Sequence, residues 1–181
     1  MTSNARSAAR ILGSLRSAGD AGVVRIEDRY DTAIADLWSA LTEPDRLARW
    51  YGRVDGDLRP GGEFRLHVED AGMDCTGRVQ ACEPPRRLVV TTRETGESHA
   101  GGPGVPPFDE VIEAVLTADG DQTILVIEAR GMPLDKIAFY GAGWQMHAEN
   151  LAAYLAGRER VDEARFDKLV PAYRDLAAGI G

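Results

Sequence analysis

Apolar positions along the chain change period repeatedly, and each change predicts a new kind of element. Near the start, Ala8, Ile11, Leu12 and Leu15 stand at the i, i+3, i+4, i+7 spacing of an amphipathic helix over residues 5–16. Gly19-Asp20-Ala21-Gly22 breaks it. Residues 23–30 mix β-branched and charged side chains in rough alternation, as a half-buried strand does. Ile34, Leu37, Trp38 and Leu41 return to helical spacing, in a helix expected to be capped near Asp31 or Thr32. Thr42-Glu43-Pro44-Asp45 predicts a second, short helix, with a capping hydroxyl, an early proline and an acid three residues on. It ends at Trp50-Tyr51-Gly52.

From there the period falls to two. Pro60-Gly61-Gly62 turns the chain into Phe64, Leu66 and Val68, alternating with Arg65, His67 and Glu69. Strands are expected over residues 76–82, 88–93, 109–117 and 123–130, with Glu83-Pro84-Pro85 at a corner and Ala118-Asp119-Gly120-Asp121 as a hairpin. Strands joined by short turns make an antiparallel meander rather than a βαβ fold. Residues 94–107 interrupt it with four glycines, three prolines and no apolar period. A loop of that length is often mobile or functional, and a gate over a neighbouring pocket is expected of it.

After the meander comes a long helical pattern over about 135–157. Ile137, Tyr140, Trp144, His147, Leu151, Tyr154 and Leu155 share one broad face, with Gly157 where a C-cap belongs. The tail repeats the helical spacing in Phe166, Leu169, Val170, Tyr173, Leu176 and Ala177, and Pro171 predicts a break or restart. These apolar stripes at the two ends must dock, on the same chain or on a second subunit; the tail's charged opposite face favours the same chain.

Composition narrows the classes of function. The 181 residues carry 21 basic and 29 acidic side chains, a net charge of −8. A negative sheath argues against a nucleic-acid backbone or an anionic membrane surface as partner. The longest apolar runs, such as Ile124-Leu125-Val126-Ile127, fall far short of the ~20 residues that span a bilayer. The first twenty residues scatter Arg6, Arg10 and Arg16 without an apolar core, so a cytoplasmic protein is expected. Cys75 and Cys82 are too few for a disulfide framework. Seven residues apart, they would face opposite sides of one regular strand.

The order of elements, and several local stretches, resemble a known family. Leu37-Trp38-Ser39-Ala40-Leu41-Thr42-Glu43-Pro44 with Leu47-Ala48-Arg49-Trp50, then Pro60-Gly61-Gly62-Glu63-Phe64, carry the first part. Gly77-Arg78-Val79, Glu83-Pro84-Pro85-Arg86-Arg87-Leu88, the Gly120 hairpin and Gly143-Trp144 carry the rest. Together they are similar to the SRPBCC (START-like) superfamily, and within it to homologues of the heat-shock-protein-90 ATPase activator, in its later domain only. The resemblance implies an α+β helix-grip fold: a curved antiparallel β-sheet around a long C-terminal helix, with two short helices after the first strand. Residues 23–157 would form this START-like domain, with helical extensions at 1–22 and 158–181.

The resemblance also implies a cavity between sheet and helix. Trp50, Phe64, Leu66, Tyr140, Trp144, His147 and Leu151 are the candidate lining, and the partner it suggests is a small apolar or aromatic molecule. Ordinary core packing competes at each position, since aromatic residues and histidines on an apolar helix face usually fill space. If the cavity instead hosts a cyclase, dehydratase or hydrolase reaction, His147 with Tyr140 or Tyr154 would supply acid and base. Other chemistries lack their residues. No HExxH or comparable metal spacing occurs, and Ser98-His99 has no orienting acid. Gly101-Gly102-Pro103-Gly104 lacks the lysine of a phosphate loop. No metal and no cofactor are therefore expected. Co-chaperone or regulatory protein binding is a third reading, and START-like relatives leave open a monomer or a homodimer.

Overall fold

A computed structural model describes residues 10–95 and 106–180. Its eight strands form one antiparallel sheet: β1 (Gly13–Ala18), β2 (Ala21–Tyr30), β3 (Gly52–Gly56), β4 (Glu63–Val68), β5 (Met73–Glu83), β6 (Arg87–Glu94), β7 (Asp109–Asp119) and β8 (Gln122–Pro133). Their order across the sheet is β1-β2-β8-β7-β6-β5-β4-β3. Helices α1 (Ile34–Thr42) and α2 (Pro44–Leu47) separate β2 from β3, and α3 (Ile137–Leu155) and α4 (Ala164–Ala178) follow the sheet. This is the curved sheet and long helix of the helix-grip fold.

Alternation decides which face is wet. Pairing aligns Ile26, Ile127, Ala114 and Leu88 in one row and Val24, Ala129, Ile112 and Val90 in the next, all on the face toward α3. The opposite face carries ion pairs such as Arg130 with Glu113 and Glu128. Helix α3 lies across the inner face and has Ile137, Ala142, Ala148 and Leu151 buried around much of its girth. It is covered twice, by the sheet below and by α4 above. Burying one large apolar side chain is worth ~1.5–3 kcal/mol, so Leu169, Val170 and Tyr173 of α4 anchor the tail on its own chain.

Several local expectations are corrected. Residues 1–9 of the predicted first helix lie outside the described residues, and residues 13–16 belong to β1, a strand. Gly19, with φ +62°, and Asp20 make a two-residue hairpin that folds Leu15 against Val24. An available sheet edge overrides the helical spacing of Leu12 and Leu15. Helix α1 has no side-chain cap: Thr32 donates to the Asp36 carboxylate at 2.7 Å instead. Thr42 ends α1 and donates back to the Trp38 carbonyl at 2.8 Å, leaving α2 to start on Pro44.

The tail helix runs through Pro171 without interruption. Pro171 sits on its exposed side while the docked Leu169, Val170 and Tyr173 hold the turns around it. A bulge between Val79 and Ala81 shifts the register of β5 by one residue. Cys82, paired with Leu88, therefore faces inward like Cys75, against the expectation of opposite faces. Residues 96–105, most of the expected gate and the whole of Ser98-His99 and Gly101-Gly102-Pro103-Gly104, lie outside the described residues. Among the described residues, no helix is long and apolar enough to cross a membrane.

Candidate functional site

One continuous pocket is expected from the sequence; the structure holds two voids that share a wall. The inner cavity, about 140 Å3, lies between the sheet and the segment from Leu41 to Val54. Its walls include Trp50, Phe64, Leu66, Ile112, Ala114 and Trp144. Each arrives by alternation on the inner face or by a helix end turned toward it. Trp50 is fixed by donating its indole N–H to the Ala40 carbonyl at 2.9 Å. Phe64 stands over Gly77 on the neighbouring strand, where a Cβ would fall inside its ring. Polar lining is sparse, chiefly the hydroxyls of Thr42, Tyr51 and Thr92.

The outer groove, about 640 Å3, lies between α3, the start of α4 and the β4–β5 turn. Tyr140, His147 and Trp144 reach it from α3, Glu110 from β7, and Asp70 from the turn. Tyr51 and Trp144 line both voids, with rings stacked at 6.0 Å between centroids. His147 meets the Tyr51 ring edge-on at 4.7 Å.

The seven candidate lining residues thus divide. Trp50, Phe64 and Leu66 belong to the inner cavity, Tyr140 and His147 to the outer groove, and Trp144 to both. Leu151 lines neither; it is fully buried in the core, one turn beyond His147 on α3. Tyr154 is likewise separated from His147. Its hydroxyl accepts a hydrogen bond from Arg46 Nε at 2.9 Å, and the guanidinium lies 5.5 Å from its ring centre. Arg46 also donates to Asp36 and Ser39, so Tyr154 ties α2 to α3 rather than serving a reaction centre.

Sequence reasoning missed Glu110. It accepts the Trp144 indole N–H at 3.0 Å, and burial pushes its carboxyl up to about 7, with the Trp144 N–H opposing and the Glu94 charge adding to the rise. Glu94, buried at the end of β6, is raised by burial as well. Pairing places Glu94 beside Cys75 and Glu110 beside Thr92, on the inner face. Burial pushes the Cys75 thiol up to about 12, helped by the charges of both glutamates. The missed signal is phase: Glu110 shares the phase of Ile112, Ala114 and Leu116, so a carboxylate occupies an apolar register.

His147 goes the other way. Burial pulls it down to about 4, the nearby Asp70 opposing and Arg160 assisting. It is therefore neutral near pH 7, and its Nδ1 has no hydrogen-bond partner among the described residues. Asp70 is held by Arg160 at 2.7 Å and by Asn150 at 2.9 Å. Asn150 also receives the Val161 N–H at 2.8 Å, which fixes the chain entering α4 along the groove. The arrangement offers an aromatic partition, one neutral imidazole and one carboxyl poised near neutrality.

Residues 31–156, more than half of the chain, match the family model described as Activator of Hsp90 ATPase homolog 1-like protein. No curated protein matches the sequence. Among solved structures, CalU16 from Micromonospora echinospora is similar with a TM-score of 0.72 and 29% identity, over 92% of this chain and 96% of that one. Protein MLL2253 from Mesorhizobium loti is similar with a TM-score of 0.62 and 27% identity, over 75% of this chain and 97% of that one. DynU16, from the dynemicin biosynthetic locus, shares the fold with a TM-score of 0.65 and 24% identity, over 78% of this chain and 50% of that one.

Proposed function

The chain belongs to the family of activator of Hsp90 ATPase homolog 1-like proteins, and from that premise we propose that it binds a small apolar or aromatic molecule between the sheet and α3. The observation that carries this reading is the inner cavity, a hollow with almost wholly apolar walls between the sheet and the Leu41–Val54 segment. Interiors are packed to crystal density, so an unfilled space of this kind forfeits contacts that a ligand restores. At about 140 Å3 it is of a size to take a small aromatic molecule, because a dry apolar void of ~150 Å3 is known to take up benzene. Trp50, Phe64, Leu66 and Trp144 would make the contacts.

Naphthalene and toluene test it, by ligand-observed NMR and calorimetry on the full chain. Binding is expected in the wild type and its loss in Ala114→Phe, whose ring fills the void from β7. A wild type that binds neither probe, or a plugged variant that binds as well, overturns the reading.

A second reading, acid–base catalysis on a bound molecule, is favoured by Glu110 alone. A carboxyl near neutrality can give and take a proton; of the two tyrosines expected to work with His147, Tyr154 is engaged by Arg46 and Tyr140 shares the groove with Glu110. Recovering added ligands unchanged from wild-type protein, by mass spectrometry, would count against it.

A further inference from the structure

The outer groove is the larger void, and its charge is one-sided. Asp70, Glu110, Asp162, Glu163 and Asp167 all line it, and no lysine or arginine does among the described residues. Not all of these acids are free to act. Asp70 is committed to Arg160 and Asn150, and Asp162 accepts the Ala164 N–H at the entry to α4. Glu110 differs: one oxygen takes the Trp144 N–H, and among the described residues no basic side chain forms a salt bridge with it.

A second, independent feature faces the same space. Tyr140 lines the groove one turn before Trp144 and is only 8% exposed, yet its hydroxyl has no hydrogen-bond partner among the described residues. A buried hydroxyl left unpaired is costly and asks for a partner. Burial, helped by the Glu94 and Glu110 charges, disfavours its ionisation and leaves it a neutral oxygen with lone pairs to offer. Rings of Tyr51, Trp144 and Phe139 complete the wall.

We propose that the outer groove is a binding site for an organic ammonium, whose nitrogen donates to the Glu110 carboxylate and the Tyr140 hydroxyl while its apolar body lies on Trp144, Tyr51 and Phe139. An ammonium brings only donors, and the two groups on offer can both accept. Aromatic faces add attraction for a cation. An anion meets Glu110, Asp162 and Asp167, and a neutral alcohol leaves the carboxylate charge unmatched. His147, neutral, adds no opposing charge. The site is separate from the inner cavity and stands whether or not that cavity takes a ligand.

The test uses 1-naphthylmethylamine and its neutral counterpart 1-naphthalenemethanol, by calorimetry on the full chain at pH 8. A charged hydrogen bond carries an order of magnitude or more in affinity, so the amine should bind at least ~10-fold more tightly than the alcohol. Glu110→Gln keeps an acceptor for the Trp144 N–H and should erase that preference. Tyr140→Phe should weaken the amine severalfold with little change for the alcohol, and it serves as the deciding variant should Glu110→Gln fail to fold. Ala114→Phe should lose naphthalene and keep the amine. Equal affinity for amine and alcohol, an unchanged preference in Glu110→Gln, or loss of the amine in Ala114→Phe overturns the proposal. Failure of both naphthalene and toluene to bind the wild type, with amine binding intact, would remove the inner-cavity reading and leave this one standing.

Discussion

The two voids on either side of the Tyr51–Trp144 partition differ in how they are made. The inner cavity is a product of the sheet. Its rows of Val, Ile, Leu and Ala follow from pairing register, and its few hydroxyls leave nothing charged to satisfy. The outer groove is built from α3, the entry to α4 and the β4–β5 turn, with Glu110 reaching it from β7, and it collects carboxylates, a neutral histidine and a phenol unpaired among the described residues. The first can discriminate by shape and the second by charge, so one fold offers two kinds of selectivity a single ring apart.

The partition itself is the sharpest test of that contrast. Trp144→Ala removes the shared wall, joins the voids and strips Glu110 of its N–H donor. Loss of a large buried aromatic costs ~3–5 kcal/mol, and thermal unfolding should register it as the largest single destabilisation among the site residues. Naphthalene and the amine should then compete for one space. If the two still bind independently, the division lies elsewhere.

Titration probes the outer groove next, where both shifted groups lie. Glu110 faces Trp144 and Tyr140 from α3, Glu94 from β6, Cys75 from β5, and Tyr51 from the segment before β3. Its carboxyl is raised from 4.5 to about 7 in the folded chain. Below pH 4.5 both folded and unfolded chains hold that proton; as pH rises toward 7 the unfolded chain releases it first, and stability falls. His147, facing Tyr51, Trp144, Asp70 and Arg160, is lowered from 6.5 to about 4. Its contribution is complete above pH 6.5 and is lost as pH falls toward 4. Each shift corresponds to up to ~3 kcal/mol. In denaturant unfolding across pH 4–8 the two contributions overlap between about pH 4.5 and 6.5 with opposite signs and largely cancel in the wild type. Glu110→Gln should uncover a stability that rises with pH through this window, and His147→Gln one that falls. Identical curves for the wild type and both variants would show that neither group is held as described.

How much of this was legible beforehand depends on whether period or pairing set the position. The helix-grip order, the inner-face residues of β4 and the broad face of α3 follow from local period, and these are the parts the sequence displays. Cys82 was misassigned because a bulge is an event between two strands, and no spacing within β5 records it. β1 is hidden for a similar reason: Leu12 and Leu15 fit a helix locally, and only the Gly19–Asp20 hairpin and the open edge of β2 make residues 13–18 a strand. β3, whose five residues Gly52–Gly56 carry a single large apolar side chain, offered no alternation to detect. Glu110 was visible as a charge in an apolar phase, but its meaning needed Trp144, which comes from α3 across the fold. Tyr154 looked paired with His147 by helical spacing; Arg46, distant in sequence, took it.

A smaller change tests whether the inner cavity can be altered alone. Gly77→Ala places a methyl where the Phe64 ring now lies, and the ring must move into the cavity. Overpacking of this kind costs ~1–3 kcal/mol. Calorimetry should show weakened naphthalene binding while the amine binds as in the wild type. A change in amine affinity larger than that for naphthalene would mean that the two walls move together.

The smallest expected effect separates a buried charge from an exposed one within the groove itself. Asp162→Asn deletes a carboxylate from the same lining that holds Glu110 while keeping an oxygen to accept the Ala164 N–H. Asp162 is exposed on the approach to α4, so water and salt screen its charge and a substitution there should move stability by less than ~0.5 kcal/mol. Amine affinity should fall by no more than ~2-fold in ~0.15 M salt, since exposed charges act weakly through solvent. Glu110→Gln, by contrast, should cost an order of magnitude with the same change in net charge. A deficit for Asp162→Asn as large as that for Glu110→Gln would mean that the groove attracts cations through its overall potential, and that the seat formed by Glu110 and Tyr140 adds no selectivity of its own.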